Sequence, residues 1–179
     1  FNYNPLIYSK INNYESICKQ KVFYVGRSKD RYDMLISVYE KLKELSISSK
    51  FYITHVDKDI QKYPNEIVYN KRIPYKEALK NIFESNCLLD VIQGNSSGLT
   101  IKVCEAITYN KMLITTNQNI KNSPFFDERY IKVIKNANDI TADFFKNEEP
   151  IQYNSTAQTF FSLETFLKKV LSDLQVKST

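Results

Sequence analysis

A small polar loop that leads directly into a helix is the feature of this sequence best suited to bind an anion. Residues 93–100, with the sequence Gln-Gly-Asn-Ser-Ser-Gly-Leu-Thr, connect a predicted strand at residues 87–92 to a predicted helix at residues 100–109. The first N–H groups of a helix have no acceptor within it, and the helix dipole adds partial positive charge at the same end. Phosphate groups bind at such helix starts, so this loop predicts a diphosphate site.

Two charged residues of the predicted helix are placed to act on such a ligand. Lys102 and Glu105 are three residues apart and share one face, while Val103, Ala106 and Ile107 turn toward the sheet. A carboxylate one turn into the helix can accept hydrogen bonds from ribose hydroxyls, and a lysine can oppose phosphate charge. The alternative is that the glycines and serines are ordinary capping residues and that Glu105 is a solvated surface acid.

Glycine is scarce in this chain, which gives the positions of its three glycines added meaning. They are Gly26, Gly94 and Gly98. Each lies at the end of a strand-like run, where the ligand-binding loops of α/β folds begin. We predict that Gly26 ends the first strand in a turn.

Composition excludes several classes of protein. The chain has 179 residues and a net charge of +5, with basic and acidic residues interleaved. That charge permits an anionic ligand, but the absence of a clustered basic face and of a recognition motif argues against a nucleic-acid partner. No apolar run is long enough to cross a bilayer, and no secretory leader is evident. The three cysteines form no C-x-x-C pair, so we expect free thiols in a reducing cytoplasm.

Strand-like runs alternate with amphipathic helices along most of the chain. The strands are mostly apolar rather than alternating, which is typical of a parallel sheet covered on both faces. We therefore predict a Rossmann-like three-layer α/β/α domain with a mainly parallel sheet of five or six strands. Strands are predicted at residues 21–25, 51–56, 66–69, 87–92, 112–116 and 130–134, and helices at residues 34–45, 78–83, 100–109 and 163–174.

This pattern also suggests a division of the chain into three parts. Residues 1–20 have no clear period and are expected to be a lead-in segment or an interdomain linker. Residues 21–150 would form the Rossmann-like domain, and residues 151–179 would form a C-terminal helix that packs on it. Because the sequence begins at Phe1 without a methionine, we expect it to be part of a longer protein.

Other motifs carry less weight. The chain has no Walker A pattern and no G-x-G-x-x-G, so neither a P-loop NTPase nor a dinucleotide-binding dehydrogenase is indicated. Asp57 and Asp59 match a D-x-D metal motif, but two acids in a lysine-rich turn occur often by chance, and we predict no metal site. His55 is the only histidine, and we expect it to be packed or hydrogen-bonded rather than catalytic.

Residues 89–117 resemble the C-terminal domain of GT-B glycosyltransferases, specifically the bacterial group that makes lipopolysaccharide or capsular polysaccharide. The specific part of the likeness is Ser-Gly-Leu-Thr at residues 97–100 followed by Glu-Ala at residues 105–106. Looser likeness extends over residues 21–135. It includes Phe-Tyr-Val-Gly-Arg at residues 23–27, Arg31 at the start of the first helix, and Ile-Pro-Tyr at residues 73–75.

The resemblance implies roles for individual residues in a site for a nucleotide-sugar donor. Glu105 would hold the ribose, and Arg27 and Lys102 would stabilise the leaving nucleoside diphosphate. Many retaining enzymes of this kind have a glutamate where Ser97 stands here, so the resemblance leaves the stereochemistry open. The diphosphate would contact the backbone of Ser97, Gly98, Leu99 and Thr100, the base would be lined by Ile73, Pro74 and Tyr75, and Gly26 with Arg27 would face the cleft closed by a second domain.

These implications lead to an expected function. The chain would be the donor-binding domain of a metal-independent glycosyltransferase that extends a cell-surface polysaccharide or lipopolysaccharide. It would need no cofactor other than the nucleotide sugar as substrate. Its partners would be a saccharide or lipid-linked saccharide acceptor and an N-terminal GT-B domain carrying the unidentified catalytic residues. We expect the protein in the cytoplasm, with peripheral contact at the inner face of the membrane. The alternative is a non-catalytic module that binds a nucleotide or a sugar phosphate.

Overall fold

Six parallel strands form a single sheet in the computed structural model, which describes residues 20–94, 98–146 and 150–154. The order of the strands across the sheet is β3-β2-β1-β4-β5-β6, and every neighbouring pair is parallel. The strands are β1 (Gln20–Arg27), β2 (Ser49–Thr54), β3 (Val68–Tyr69), β4 (Ser85–Asp90), β5 (Met112–Thr115) and β6 (Ile131–Val133).

Helices cover both faces of this sheet. Helix α1 (Tyr32–Glu44) lies on one face together with the short 3-10 turns near residues 137–146. Helices α2 (Tyr75–Phe83) and α3 (Ile101–Thr108) lie on the other face. The prediction of a Rossmann-like three-layer α/β/α domain is therefore confirmed, with six strands that are all parallel.

The apolar pattern of the sequence explains why these elements pack together. Leu35, Val38 and Leu42 recur at helical spacing and all three are fully buried against the first face of the sheet. In α3, Val103 and Ile107 are four residues apart and are fully buried against the second face of the sheet. All four residues of β5 are buried, as expected for a central strand with helices or turns on both sides.

The strand order places a topological switch point between β1 and β4. From β1 the chain proceeds outward through β2 and β3, and then returns to continue on the other side of β1 with β4. Because the connections after β1 and β4 leave in opposite directions, a crevice opens beyond the carboxyl ends of these two strands. We call the region formed by residues 27–31, 91–94 and 98–102 the switch-point crevice.

The boundaries predicted from sequence hold to within a few residues, with one instructive exception. Strand β1 does not stop at Gly26 but continues through it to Arg27, so the predicted turn at Gly26 is wrong. Several predictions lie outside the described residues, among them the lead-in segment, the C-terminal helix and the contact of Ser97.

In the described part of the chain, no helix is both long enough and apolar enough to cross a membrane.

Candidate functional site

Helix α3 starts at the edge of the switch-point crevice, and Thr100 is its N-cap. The Thr100 hydroxyl accepts a hydrogen bond from the N–H of Val103 at 3.4 Å. The N–H groups of Ile101 and Lys102 belong to the first turn, where helix geometry supplies no acceptor. They are therefore the groups at the carboxyl edge of the sheet to which an anion could bind.

The three glycines differ in why glycine is needed. At Gly26 a Cβ atom would lie 2.7 Å from the hydroxyl oxygen of Tyr24, so a larger residue there would have to displace the end of this side chain. Gly94 has a φ of +42°, which favours glycine. At Gly98 a Cβ atom would meet nothing within 4 Å, so nothing described here demands glycine. The space in front of Gly98 is open for the close approach of a ligand.

Exchange of Gly98 for alanine is expected to weaken nucleotide binding without loss of stability. The added methyl would occupy the space that a diphosphate needs, while a Gly→Ala change at an unstrained position stabilises a protein by about 0.4–1 kcal/mol. Gly94→Ala is a comparison for stability only, because its left-handed backbone should cost about 1–2 kcal/mol, whereas Gly98→Ala should cost none. Calorimetry and thermal melts of both variants would check this. Unchanged affinity in Gly98→Ala would count against a ligand at this backbone.

Lys102 brings positive charge to the crevice. Its ammonium lies 5.5 Å from the centre of the Tyr24 ring, which places it over the end of β1. Burial lowers the pKa of Lys102, the nearby charges of Glu105 and Asp90 raise it, and Arg31 lowers it further. Among residues 20–94, 98–146 and 150–154, the structure records no ion pair or hydrogen bond for this ammonium. A partly buried cation that makes no direct ion pair among the described residues favours an anionic ligand.

Glu105 is buried one turn further along α3. Only 4% of this residue is exposed, so the interpretation as a solvated surface acid is wrong. Burial raises the pKa of Glu105, while Lys102 and a hydrogen bond from the Tyr75 hydroxyl lower it. Tyr75 lies at the start of α2 and is 30 residues from Glu105 in sequence, so this contact joins α2 to α3.

The predicted base-binding residues lie beside this carboxylate. Pro74 is the N-cap of α2, and both Pro74 and Tyr75 are exposed. Ile73 is partly buried against the core of the second face. Through Tyr75, the structure brings this segment to α3. Leu99 is exposed as well, with 41% of its surface accessible, so apolar surface borders the polar edge.

Arg31 holds the two sides of the switch point together. Its guanidinium donates to the carbonyl of Val91 at 2.8 Å, to that of Ser28 at 3.4 Å and also to that of Arg27. These contacts connect the end of β1 to the segment that follows β4. The side chain of Arg27 is itself exposed. The resemblance includes Arg31 but assigns it no role, and the structure gives it one in positioning the crevice.

Three buried polar residues beneath the helix start were not predicted from the sequence. Asp90 accepts hydrogen bonds from the hydroxyls of Thr100 and Thr115, each at 2.9 Å. The Asn117 amide donates to the carbonyl of Gly98 at 3.2 Å. Their only sequence signal is that polar residues interrupt apolar strands at their carboxyl ends. We call Asp90, Thr115 and Asn117 the support cluster.

The weaker candidates lie away from this edge or have no partners for chemistry. Asp57 and Asp59 are exposed in a turn after β2, and the described residues contain no group of three or more metal-ligating side chains. His55 is exposed rather than packed, and its Nδ1 lies within hydrogen-bond distance of the Thr54 hydroxyl at 3.2 Å, in line with the expectation of a packed or hydrogen-bonded ring. Cys87 and Cys104 are free thiols, as expected.

The geometry at the carboxyl edge thus combines an open backbone at Gly98, a helix start, a lysine without an ion pair among the described residues, and a buried glutamate. Such a set can bind a phosphorylated ligand at the helix start and hydroxyl groups one turn away. No protein-family model matches the chain, and no curated protein matches it.

Proposed function

We propose that the switch-point crevice binds the nucleoside diphosphate of a nucleotide sugar, and that the chain is the donor-binding domain of a GT-B type glycosyltransferase of cell-surface polysaccharide or lipopolysaccharide synthesis. The sequence resemblance at residues 97–106 supports this, and so does the position of residues 98–102 at the switch point, where α/β folds bind ligands. The proposal extends to action in the cytoplasm at the inner face of the membrane.

The position of the Lys102 ammonium, 5.5 Å from the centre of the Tyr24 ring, is the observation that carries the proposal. This ammonium lies next to the start of α3 and over Tyr24, without an ion-pair partner among the described residues. A structural lysine in such a place would normally pair with a carboxylate. A diphosphate at Gly98 would supply the missing negative charge and would fit the open backbone there.

The chemistry that follows is electrostatic. When the bond between the sugar and the diphosphate breaks, negative charge builds on the departing phosphate oxygen. The start of α3 and Lys102 would stabilise that charge, with Arg27 approaching from the opposite side of the crevice. Glu105 would accept hydrogen bonds from ribose hydroxyls once Tyr75 shares or leaves the carboxylate. The acceptor and the groups that activate it would come from a second domain facing this edge.

The alternative is a module that binds the nucleotide without turnover. One observation favours it: the chain's only histidine, His55, is exposed after β2 and borders neither Lys102 nor Glu105 in the recorded contacts. No histidine therefore accompanies Lys102 and Glu105 as a candidate general base. Both functions share the same binding site, so they differ only in whether sugar is transferred.

A binding screen followed by a transfer assay tests the proposal. ADP, CDP, GDP, UDP and their sugar derivatives are added separately, and one group is expected to raise the melting temperature, since a ligand that binds only the folded state stabilises it. Binding should persist in EDTA, because the helix start and Lys102 oppose the diphosphate charge. Residues 1–179 alone should transfer no sugar. Binding that vanishes in EDTA and returns with manganese would contradict the proposal and favour Asp57 and Asp59 as metal ligands.

Transfer separates the two readings of the same site. If a protein that contains this chain together with a facing domain transfers sugar to a saccharide acceptor, the enzyme is supported. If it binds the nucleotide sugar tightly but releases no nucleoside diphosphate with any acceptor, the binding module is supported instead. Robust transfer by residues 1–179 alone would show that the chain already contains the catalytic groups.

A further inference from the structure

We propose that Asp90, Thr115 and Asn117, the support cluster, position the segment at residues 98–100 so that the start of α3 can receive a diphosphate. This inference rests on the proposed function for its ligand. It concerns residues that contact other protein groups rather than the ligand, and so it assigns them a positioning role.

Asp90 holds Thr100, the N-cap of α3. The hydroxyl of Thr100 donates to Asp90 Oδ1 at 2.9 Å and accepts from the N–H of Val103, so one hydroxyl joins the helix start to the end of β4. Thr115 donates to Asp90 Oδ2 at 2.9 Å. Both carboxylate oxygens of Asp90 are therefore used, and the helix start is tied to two strands at once.

Asn117 holds Gly98, which lies two residues before the N-cap. The side-chain amide of Asn117 donates to the carbonyl of Gly98, and its oxygen accepts from the N–H of Asn119 at 3.1 Å. The N–H of Asn117 in turn donates to the Thr115 hydroxyl at 3.1 Å. Residues 98 and 100 are thus both held from beneath by one connected set of hydrogen bonds.

Burial makes these bonds matter. The exposed fractions are 3% for Asp90, 0% for Thr115 and 1% for Asn117, so water does not replace a lost partner. A carboxylate placed behind a phosphate site also opposes anion binding, and a polar core at this position has no evident advantage for packing. A role in fixing the backbone of residues 98–100 explains both why the support cluster lies behind the helix start and why each of its side chains has hydrogen-bond partners.

The experiment removes a hydroxyl that no ligand at the edge could reach. Thr115→Val keeps the shape of the side chain and loses the hydrogen bonds to Asp90 and Asn117, whereas Thr115→Ser keeps the hydroxyl. Ile114→Val is the matched control, because it removes a fully buried methyl from the neighbouring position of β5. Affinities for inorganic pyrophosphate and for the tightest binder among ADP, CDP, GDP and UDP are measured by NMR titration, along with melting temperatures.

Thr115→Val should weaken binding of both probes about fivefold, which is the typical net effect of one hydrogen bond. Thr115→Ser should restore wild-type affinity, and Ile114→Val should lower the melting temperature without a change in affinity. Wild-type affinity in Thr115→Val, or equal losses in Thr115→Val and Thr115→Ser, would overturn the positioning role. If Thr115→Val does not fold, Asn117→Ser replaces it, since a serine hydroxyl can still accept from Asn119 but is too short for Gly98.

Amide signals of the protein without ligand separate this inference from the proposed function. Thr115→Val, and not Thr115→Ser, should shift the N–H signals of residues 98–102. If wild-type protein binds none of the probes, the proposed function fails, and these shifts alone decide whether the support cluster sets the backbone. Unchanged signals at residues 98–102 in Thr115→Val would overturn the inference even if the nucleotide binds.

Discussion

Replacement of Lys102 by methionine is expected to weaken nucleoside-diphosphate binding by about 1.5–3 kcal/mol, or about 10- to 150-fold, while the protein stays folded. Methionine keeps the length and apolar character of the lysine stem but removes the charge that opposes the diphosphate. Because burial lowers the pKa of Lys102, the folded protein holds this proton less tightly than the unfolded chain does. The charge therefore costs stability at neutral pH, and the variant should melt at the same or a higher temperature.

The control for this experiment is another lysine of the same charge in an exposed position. Lys80 lies in the last turn of α2 and is exposed, so Lys80→Met changes the net charge equally without touching the crevice. Calorimetry should show wild-type affinity for Lys80→Met and a large loss for Lys102→Met. Equal small losses in both variants would mean that only long-range attraction by net charge is at work.

Removal of the Glu105 carboxylate should have the second large effect. Glu105→Ala is expected to lower the affinity for a nucleoside diphosphate by about 1.5–3 kcal/mol, because ribose hydroxyls lose a charged acceptor. Glu105→Gln should lose less, since the amide oxygen still accepts one hydrogen bond. A deoxyribonucleoside diphosphate that lacks one ribose hydroxyl should show a smaller difference between wild type and the variants.

The stability of Glu105→Gln provides a further check with a definite sign. Burial raises the pKa of Glu105, so the folded state binds the proton more tightly than the unfolded chain does. Ionisation above the unfolded pKa of about 4.3 therefore costs stability, and the cost persists at neutral pH. Glu105→Gln should melt at the same or a higher temperature at pH 7. Glu128 is exposed, so Glu128→Gln should change neither the melting temperature nor the affinity for a nucleoside diphosphate. Unchanged affinity in Glu105→Ala would show that the carboxylate serves only the contact with Tyr75.

The fold could be predicted because its signals are local. The apolar spacing of Leu35, Val38 and Leu42 defines a helix within one short window, and the runs before and after it define strands. The helix start at Thr100 was also predictable, since small polar residues before an apolar helical pattern are typical of a helix N-terminus. Lys102 and Glu105 followed from helical periodicity alone.

What could not be predicted depends on contacts between distant residues. The partner of Asp90 on β5, Thr115, is 25 residues away, so nothing near Asp90 shows that its carboxylate supports the helix start. The burial of Glu105 was missed because its helix faces α2, which brings Tyr75 to the carboxylate. Gly26 was misassigned to a turn because the close approach of the Tyr24 hydroxyl, 2.7 Å from where a Cβ atom would lie, is not visible in sequence.

The most direct test of the central claim is the mapping of backbone amide shifts during titration with the tightest-binding nucleoside diphosphate in EDTA. The account predicts saturable shifts concentrated at residues 98–102, with further shifts at Tyr75 and Glu105. The same titration of Lys102→Met should show these shifts only at much higher concentration. The claim would be contradicted if no nucleoside diphosphate produced saturable shifts, or if the shifts centred on the opposite, amino-terminal edge of the sheet.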